Sequence, residues 1–177
     1  MLTPFDDFPI HPSADPIAHP ASGDPNHYDR YWFNGGAKDG SFFLAGAMGH
    51  YPVRGVVDGA FSVIYEGIEH SVFASGVMPL DRSTAVGPIS VEVPEPMRTV
   101  RLKADRNATG IGADLTFRAR TVAIEEPRQR LVSPEGVLTM DHTRLTQWGS
   151  WEGTIWIDGT TIDVDPAQTI ATRDRSW

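Results

Sequence analysis

The sequence contains no cysteine, and this absence excludes several kinds of chemistry. Disulfide bonds, thiolate nucleophiles and Cys-ligated zinc sites all need that residue. No apolar run approaches the roughly 20 residues that a membrane-spanning helix needs. The N-terminus also lacks the basic and apolar segments of a signal peptide. We therefore expect a cytoplasmic protein without a membrane span.

Basic residues are also few, since 15 Lys and Arg against 23 Asp and Glu give a formal net charge of −8. Nucleic acids and anionic membrane surfaces both favour basic partners, so we expect neither as a partner. The chain has no Gly-x-Ser-x-Gly motif, and its Gly pairs do not precede helices, so Ser hydrolysis and phosphate binding lack support. The spacing of the histidines indicates no metal site. We expect no cofactor.

Amphipathic helices of three turns are missing as well, and the 17 Gly and 14 Pro fit short strands joined by tight turns. Glu66-Gly67 and Asp158-Gly159 predict hairpins, and Asn34-Gly35-Gly36 predicts a turn. Strict alternation over residues 111–119 predicts an amphipathic strand, whereas residues 128–147 show no clear period. We predict an all-β chain of eight to ten strands, forming an antiparallel barrel or a strongly twisted β-sandwich.

Six prolines fall within residues 1–27, and proline fits neither a helix interior nor a central strand. We predict an extended N-terminal arm over residues 1–27 and one β domain over residues 28–177.

A tryptophan-rich segment, residues 141–158, has a period-two pattern that would place Trp151, Ile155 and Ile157 on one face of a strand. Trp148 and Trp151 flank Gly149. Because an indole ring has a large apolar area and one N–H donor, this pair predicts a cavity wall. The alternative is that the rings only fill the core of a sandwich.

Two motifs resemble the lipocalin-like family around the carotenoid 1,2-hydratases. They are Arg-Asp-Arg-Ser-Trp at residues 173–177 and Thr-Gln-Trp-Gly-Ser-Trp-Glu-Gly at residues 146–153. Members of that family carry two lipocalin-like barrel halves in tandem, and they either add water to an alkene or shape a polyene. The resemblance implies that residues 28–177 form the first half, with a second half or another copy as partner. Arg175 replaces the His of the family motif, which exchanges an acid/base group for a permanent cation.

Alkene hydration needs a strong proton donor, aromatic faces around a carbocation and a positioned water. We predict Asp174 as the acid, with Arg175 beside it. The walls would come from Trp148, Trp151 and Trp177. The alternative is that Asp174 and Arg175 form a solvated or ion-paired couple at the end of a strand.

Further polar residues are candidates for catalysis or ligand binding. His142 could act as a base if a turn brings it to Asp141, although a loop histidine bonded to backbone is the alternative. His50, Tyr51 and His70 could line a barrel mouth and bind a ligand hydroxyl or carbonyl, or they could be ordinary polar residues of the core or rim.

Two functions remain open at this point. The first is binding of a lipophilic, isoprenoid or steroid-like small molecule in a barrel cavity, with a hydratase or isomerase variant of it. It predicts that Asp174 faces an enclosed cavity beside tryptophan rings. The second is a non-catalytic β-sandwich for assembly, which predicts a filled interior and an exposed apolar face.

Overall fold

The computed structural model describes residues 14–177, and all the regular secondary structure within them consists of β-strands. The strands are β1 (Asp29–Ala37), β2 (Phe42–Tyr51), β3 (Val56–Tyr65), β4 (Ile68–Val77), β5 (Ala85–Val86), β6 (Ile89–Glu95), β7 (Thr99–Ala104), β8 (Ile111–Ala119), β9 (Ile124–Glu125), β10 (Gln129–Val132), β11 (Leu138–His142), β12 (Arg144–Ile157), β13 (Thr160–Val164) and β14 (Thr169–Ser176). Within that range, no helix could cross a membrane. Residues 1–13 of the predicted arm lie outside the described residues, and residues 14–27 contain turns but no strand.

Twelve strands form one antiparallel sheet, and ten of them follow one another in the order β4-β3-β2-β1-β14-β12-β8-β7-β6-β5. The long strand β12 also pairs with β13 and β9, while β10 and β11 form a separate hairpin. The two ends of the sheet approach each other where residues are small. A Cβ added to Gly59 would lie 3.0 Å from Val86 Cγ1, and one added to Gly87 would lie 2.8 Å from Ala74 Cβ. The sheet is therefore a nearly closed barrel, and the predicted all-β antiparallel barrel is confirmed.

Alternating side chains fill the inside of this barrel. In β8, Ile111, Ala113, Leu115 and Phe117 are buried, as the period-two pattern predicts. Buried positions of other strands, β1, β2, β3, β7 and β12 among them, also belong to the core. Its large members include Phe33, Leu44, Met48, Phe61, Leu102, Trp151 and Ile155.

Trp151 is the largest side chain of this core, with no exposed surface. Its ring meets Phe33 and Phe117 edge to face, at centroid distances of 5.9 and 5.6 Å. Its indole Nε1–H donates to Asn34 O at 3.1 Å. The ring lies so close to β1 that a Cβ on Gly35 would be 2.7 Å from Nε1.

The predicted turn at Asn34-Gly35-Gly36 is wrong, because all three residues lie inside β1. The two positions require glycine because of close packing, not because of a turn. A Cβ on Gly35 would lie 2.3 Å from Ile170 O, and one on Gly36 would lie 2.4 Å from Phe42 O. A glycine pair in a strand thus marks close backbone approach here.

Candidate functional site

Strand β14 places consecutive residues on opposite faces of the barrel wall. Arg173 pairs with Phe33 of β1 and with Gln147 of β12. Directly opposed residues of neighbouring strands point to the same face, and Phe33 is part of the core, so Arg173 points inward. Asp174 therefore points outward, and Arg175 points inward again.

Asp174 lies between Trp32 of β1 and Thr146 of β12 on the outer face, so the expectation that it faces an enclosed cavity inside the barrel is wrong. It is nevertheless half-buried, and that burial raises the pKa of Asp174, while Arg30 and Arg144 act in the opposite direction. Its Oδ1 is buried and has no hydrogen-bond partner among the described residues. A carboxyl group that holds its proton more firmly than usual suits general-acid work.

Glu126 is a second carboxylate in the same surroundings. It accepts hydrogen bonds from Arg144 Nη2 and Thr146 Oγ1, each at 2.5 Å. These hydrogen bonds lower the pKa of Glu126, and the bond from Arg144 has the larger effect. Two neighbouring carboxyl groups are thus pushed in opposite directions, a pattern typical of acid–base sites.

Several other polar atoms around Asp174 are buried and lack a hydrogen-bond partner within residues 14–177: Arg30 Nε, His142 Nδ1, Arg144 Nε and Ser176 Oγ. Buried polar atoms are paired in the great majority of cases. Register places Arg30, Ser176 and Arg144 in one row beside Asp174, and His142 is close enough to affect the pKa of Asp174. We call Arg30, Glu126, His142, Arg144, Asp174 and Ser176 the Asp174 cluster.

A pocket of about 490 Å³ adjoins this cluster. Its walls come from residues 22–28 and from the β10–β11 hairpin, and they include Tyr28 and His142. Arg128 binds Asp141 at 2.5 Å and fixes one wall. The pocket falls within the range of roughly 300–1,000 Å³ usual for small-molecule sites. Within residues 14–177, no group of His, Asp and Glu residues is placed to hold a metal ion.

The three predicted tryptophan walls do not share a cavity, which corrects the expectation of a common wall. Trp151 is buried in the core, whereas Trp148 is 46% exposed and Trp177 is 48% exposed. Trp148 and Trp151 are three residues apart on one strand, so they point to opposite faces. Trp148 instead lines an outer groove of about 560 Å³ with Phe43 and Ile170. The ligand-binding roles of these rings stay predictions.

Arg175 does not accompany Asp174, since it points into the barrel. Its Nη1 lies 2.7 Å from Asp29 Oδ1, and its guanidinium lies 3.9 Å from the centre of the Tyr31 ring. The alternative, in which Asp174 and Arg175 pair with each other at the end of the strand, is therefore not seen. Arg175 pairs with Asp29 instead.

The other predicted rim residues are separated from Asp174. His50 is buried, and its Nε2 lies 3.1 Å from Ser83 O, which ties the 78–84 loop to the barrel. Burial and the Asp58 charge raise the pKa of Tyr51. His70 of β4 lies opposite Val63 of β3, away from His50 and Tyr51. Of the residues predicted for catalysis, only Asp174 and His142 come together.

The sequence did not point to Tyr28, Arg30, Glu126 or Arg144. They belong to three separate segments, and none forms a recognisable spacing with Asp174. Only the pairing of β14 with β1 and β12 brings these segments together.

A family model described as a family of unknown function (DUF8625) matches residues 2–177. No curated protein matches the chain significantly. Among solved structures, kievitone hydratase from Nectria haematococca is 14% identical with a TM-score of 0.59, over 84% of this chain and 47% of that one. A putative AttH from Nitrosomonas europaea is 11% identical with a TM-score of 0.62, over 85% and 51%. CghA in complex with Sch210972 is 15% identical with a TM-score of 0.50, over 85% and 45%.

The chain thus spans about half the length of the solved structures it matches. At these identities the likeness concerns the fold, and it agrees with the lipocalin-like barrel described above. The narrower resemblance to carotenoid 1,2-hydratases stays a prediction.

Proposed function

We propose that this chain, which belongs to the family of unknown function DUF8625, binds a lipophilic small molecule at the Asp174 cluster and protonates an alkene there. The observation that carries the proposal is the half-buried Asp174, with its raised pKa and its unpartnered Oδ1, in a cluster whose His142 lines a pocket of about 490 Å³. An isoprenoid or steroid-like skeleton is the ligand class we favour. Hydration or isomerisation is the reaction we favour.

The outer face offers room for an apolar body as well as for the reacting group. Trp32 stands next to Asp174, and Trp148 lies opposite Thr172, the next outward residue of β14. Beyond it, Phe43 and Ile170 continue the groove. Ile170 lies four positions before Asp174 on the strand, a span of roughly 13 Å. A molecule lying along β14 would hold its alkene at Asp174 and its apolar end against Trp148.

In the proposed reaction Asp174 gives its proton to one alkene carbon, and positive charge develops on the other carbon. The exposed ring of Trp32 stabilises that charge through its π face. A water oxygen then forms a bond to the cationic carbon, and His142 accepts the proton that this water releases. Loss of a neighbouring proton to the same base would instead complete an isomerisation. We assign Arg175 no part in the proton transfer, since it lies on the opposite face.

The test is incubation of the purified chain with farnesol and with squalene in ¹⁸O-labelled water, followed by mass spectrometry of the extracted lipids. We expect labelled alcohol from the native chain and none from Asp174→Asn. Asp163→Asn, on the exposed face of β13, is the matched control and should behave like the native chain. Equal product from Asp174→Asn, with unchanged circular dichroism, would contradict the role of Asp174.

A second candidate function, assembly through an apolar surface, is favoured by the outer face of β2, β3 and β4. Phe43, Ile64, Phe73 and Val77 are exposed there, an unusual concentration of apolar groups on a barrel exterior. We propose self-association through this face as the alternative. Sedimentation of the native chain and of Phe73→Lys across a concentration series checks it. A monomer at every concentration would refute the alternative.

A further inference from the structure

Arg173 is a cation inside the barrel with only neutral partners. The residue is only 4% exposed. Its Nε donates to Gln147 Oε1 at 2.9 Å, and its Nη2 lies 3.9 Å from Met97 Sδ. Phe117 supplies a ring face at 5.6 Å. Within residues 14–177, no carboxylate forms an ion pair with Arg173.

The second arginine at this end of the barrel does not relieve the charge. Arg175 already pairs with Asp29 at 2.7 Å, so that carboxylate is engaged. Burial and the positive charge of Arg175 both lower the pKa of Arg173. One uncompensated positive charge therefore remains inside, and such a charge is costly to keep buried.

Met97 contacts this guanidinium through its side chain, whose Sδ lies 3.9 Å from Nη2. It lies in the turn between β6 and β7, is 54% exposed and has a φ of +62°, which is unusual for a residue other than glycine. Its carbonyl accepts a hydrogen bond from Gln147 Nε2 at 2.9 Å. A thioether is only a weak acceptor, and a methionine side chain changes rotamer readily. The Met97 side chain is therefore held only weakly against Arg173 and can change position.

We propose that Arg173 binds the carboxylate of a mainly apolar molecule at this end of the barrel, where the carboxylate replaces the Met97 thioether. One unneutralised charge calls for one anionic group, and the planar guanidinium matches a carboxylate in two parallel hydrogen bonds. Gln147 holds Nε and so orients the two remaining nitrogens. The surroundings, Phe117 and Met97, favour an apolar tail. This site is separate from the Asp174 cluster, which lies on the other face of β14.

The test compares laurate with dodecanol, which share a chain length and differ in charge, by titration calorimetry on the full chain. We expect laurate to bind the native chain at least tenfold more tightly than dodecanol does, and Arg173→Gln to remove that difference. Arg98→Gln, an exposed arginine next to Met97, is the matched control and should keep it. Equal binding of the two ligands by the native chain, or an unchanged preference in Arg173→Gln, would overturn the proposal.

A second variant keeps the test decisive if Arg173→Gln fails to fold. Met97→Ala leaves the guanidinium in place and removes the group that laurate must displace. We expect its affinity for laurate to rise several-fold while its affinity for dodecanol stays low. An affinity for laurate that is unchanged or lower would refute the displacement.

Discussion

Replacing Trp151 by Phe tests whether this ring is part of the core, as its complete burial and its two edge-to-face contacts indicate. The smaller ring removes about 40 Å² of buried apolar surface, worth about 1 kcal/mol. The space left by the missing atoms adds about 0.5–1 kcal/mol. Loss of the hydrogen bond to Asn34 O at 3.1 Å adds about 0.5–1.5 kcal/mol. The free energy of unfolding should therefore fall by about 2–3.5 kcal/mol.

Trp148→Phe is the matched control, since it lies on the same strand but points outward with 46% of its surface exposed. We expect a loss below about 0.5 kcal/mol for this variant. Urea unfolding followed by far-ultraviolet circular dichroism measures both variants without relying on tryptophan fluorescence. Similar losses for the two variants, or a loss below about 0.5 kcal/mol for Trp151→Phe, would refute the assignment of the two rings to opposite faces.

Three further variants test other parts of the structure, each by urea unfolding. Burial raises the folded-state pKa of Asp174, so ionising this carboxyl destabilises the fold as pH rises from the ordinary Asp pKa through the folded value. Asp174→Asn should therefore gain stability relative to the native chain as pH increases. A constant difference between the two from pH 3 to 8 would contradict this. The Arg101 hydrogen bonds lower the pKa of Asp114, so this ion pair stabilises the fold above the ordinary Asp pKa and loses its effect as pH falls. Asp114→Asn should lower the free energy of unfolding by about 0.5–1 kcal/mol at pH 7 and by progressively less in acid. A loss that persists in acid would argue against the ion pair. Gly35→Ala places a methyl group 2.3 Å from a β14 carbonyl and should lower the free energy of unfolding by about 3 kcal/mol or more. Gly23→Ala, with open space around it, is the control and should be neutral. Similar effects of the two substitutions would show that the structure relaxes around the added methyl group.

Local sequence chemistry was sufficient to predict the hairpins. Glu66 and Gly67 have φ values of 50° and 77°, and Asp158 and Gly159 have values of 45° and 90°. A two-residue hairpin turn of this type needs positive φ at both central residues, which a residue followed by glycine supplies. The turn sequence alone therefore predicts β3–β4 and β12–β13.

The sequence of the β10–β11 hairpin gave no such signal. Its two strands are exposed along almost their whole length, so no apolar alternation could appear in residues 128–142. Strand periodicity reflects burial of one face, and a hairpin lying outside the barrel has little to bury. The lack of a clear period over residues 128–147 therefore gave no indication of these two strands.

The candidate site was only partly predictable for a related reason. Asp174 and His142 were recognised as chemically capable residues, but Arg30, Glu126 and Arg144 become neighbours only through the register of β1, β12 and β14. Register between strands distant in sequence depends on the whole barrel, and a shift by one residue would turn every side chain to the other face. Residue types can suggest chemistry, but they cannot say which face a strand presents.

Strand β14 illustrates this dependence most directly. Its register places the Arg173 cation inside among neutral groups and the Asp174 carboxyl outside between arginines. Burial shifts the pKa of each toward its uncharged form. Moving the strand by one residue would put the carboxyl against Gln147 and Phe117 and would expose the guanidinium to solvent, which would relieve the burial of the cation. The register observed keeps both groups in costly positions, and core packing of Phe33, Trp151 and Ala171 holds it there. Polar groups retained at such a cost are more consistent with ligand contacts than with stability alone.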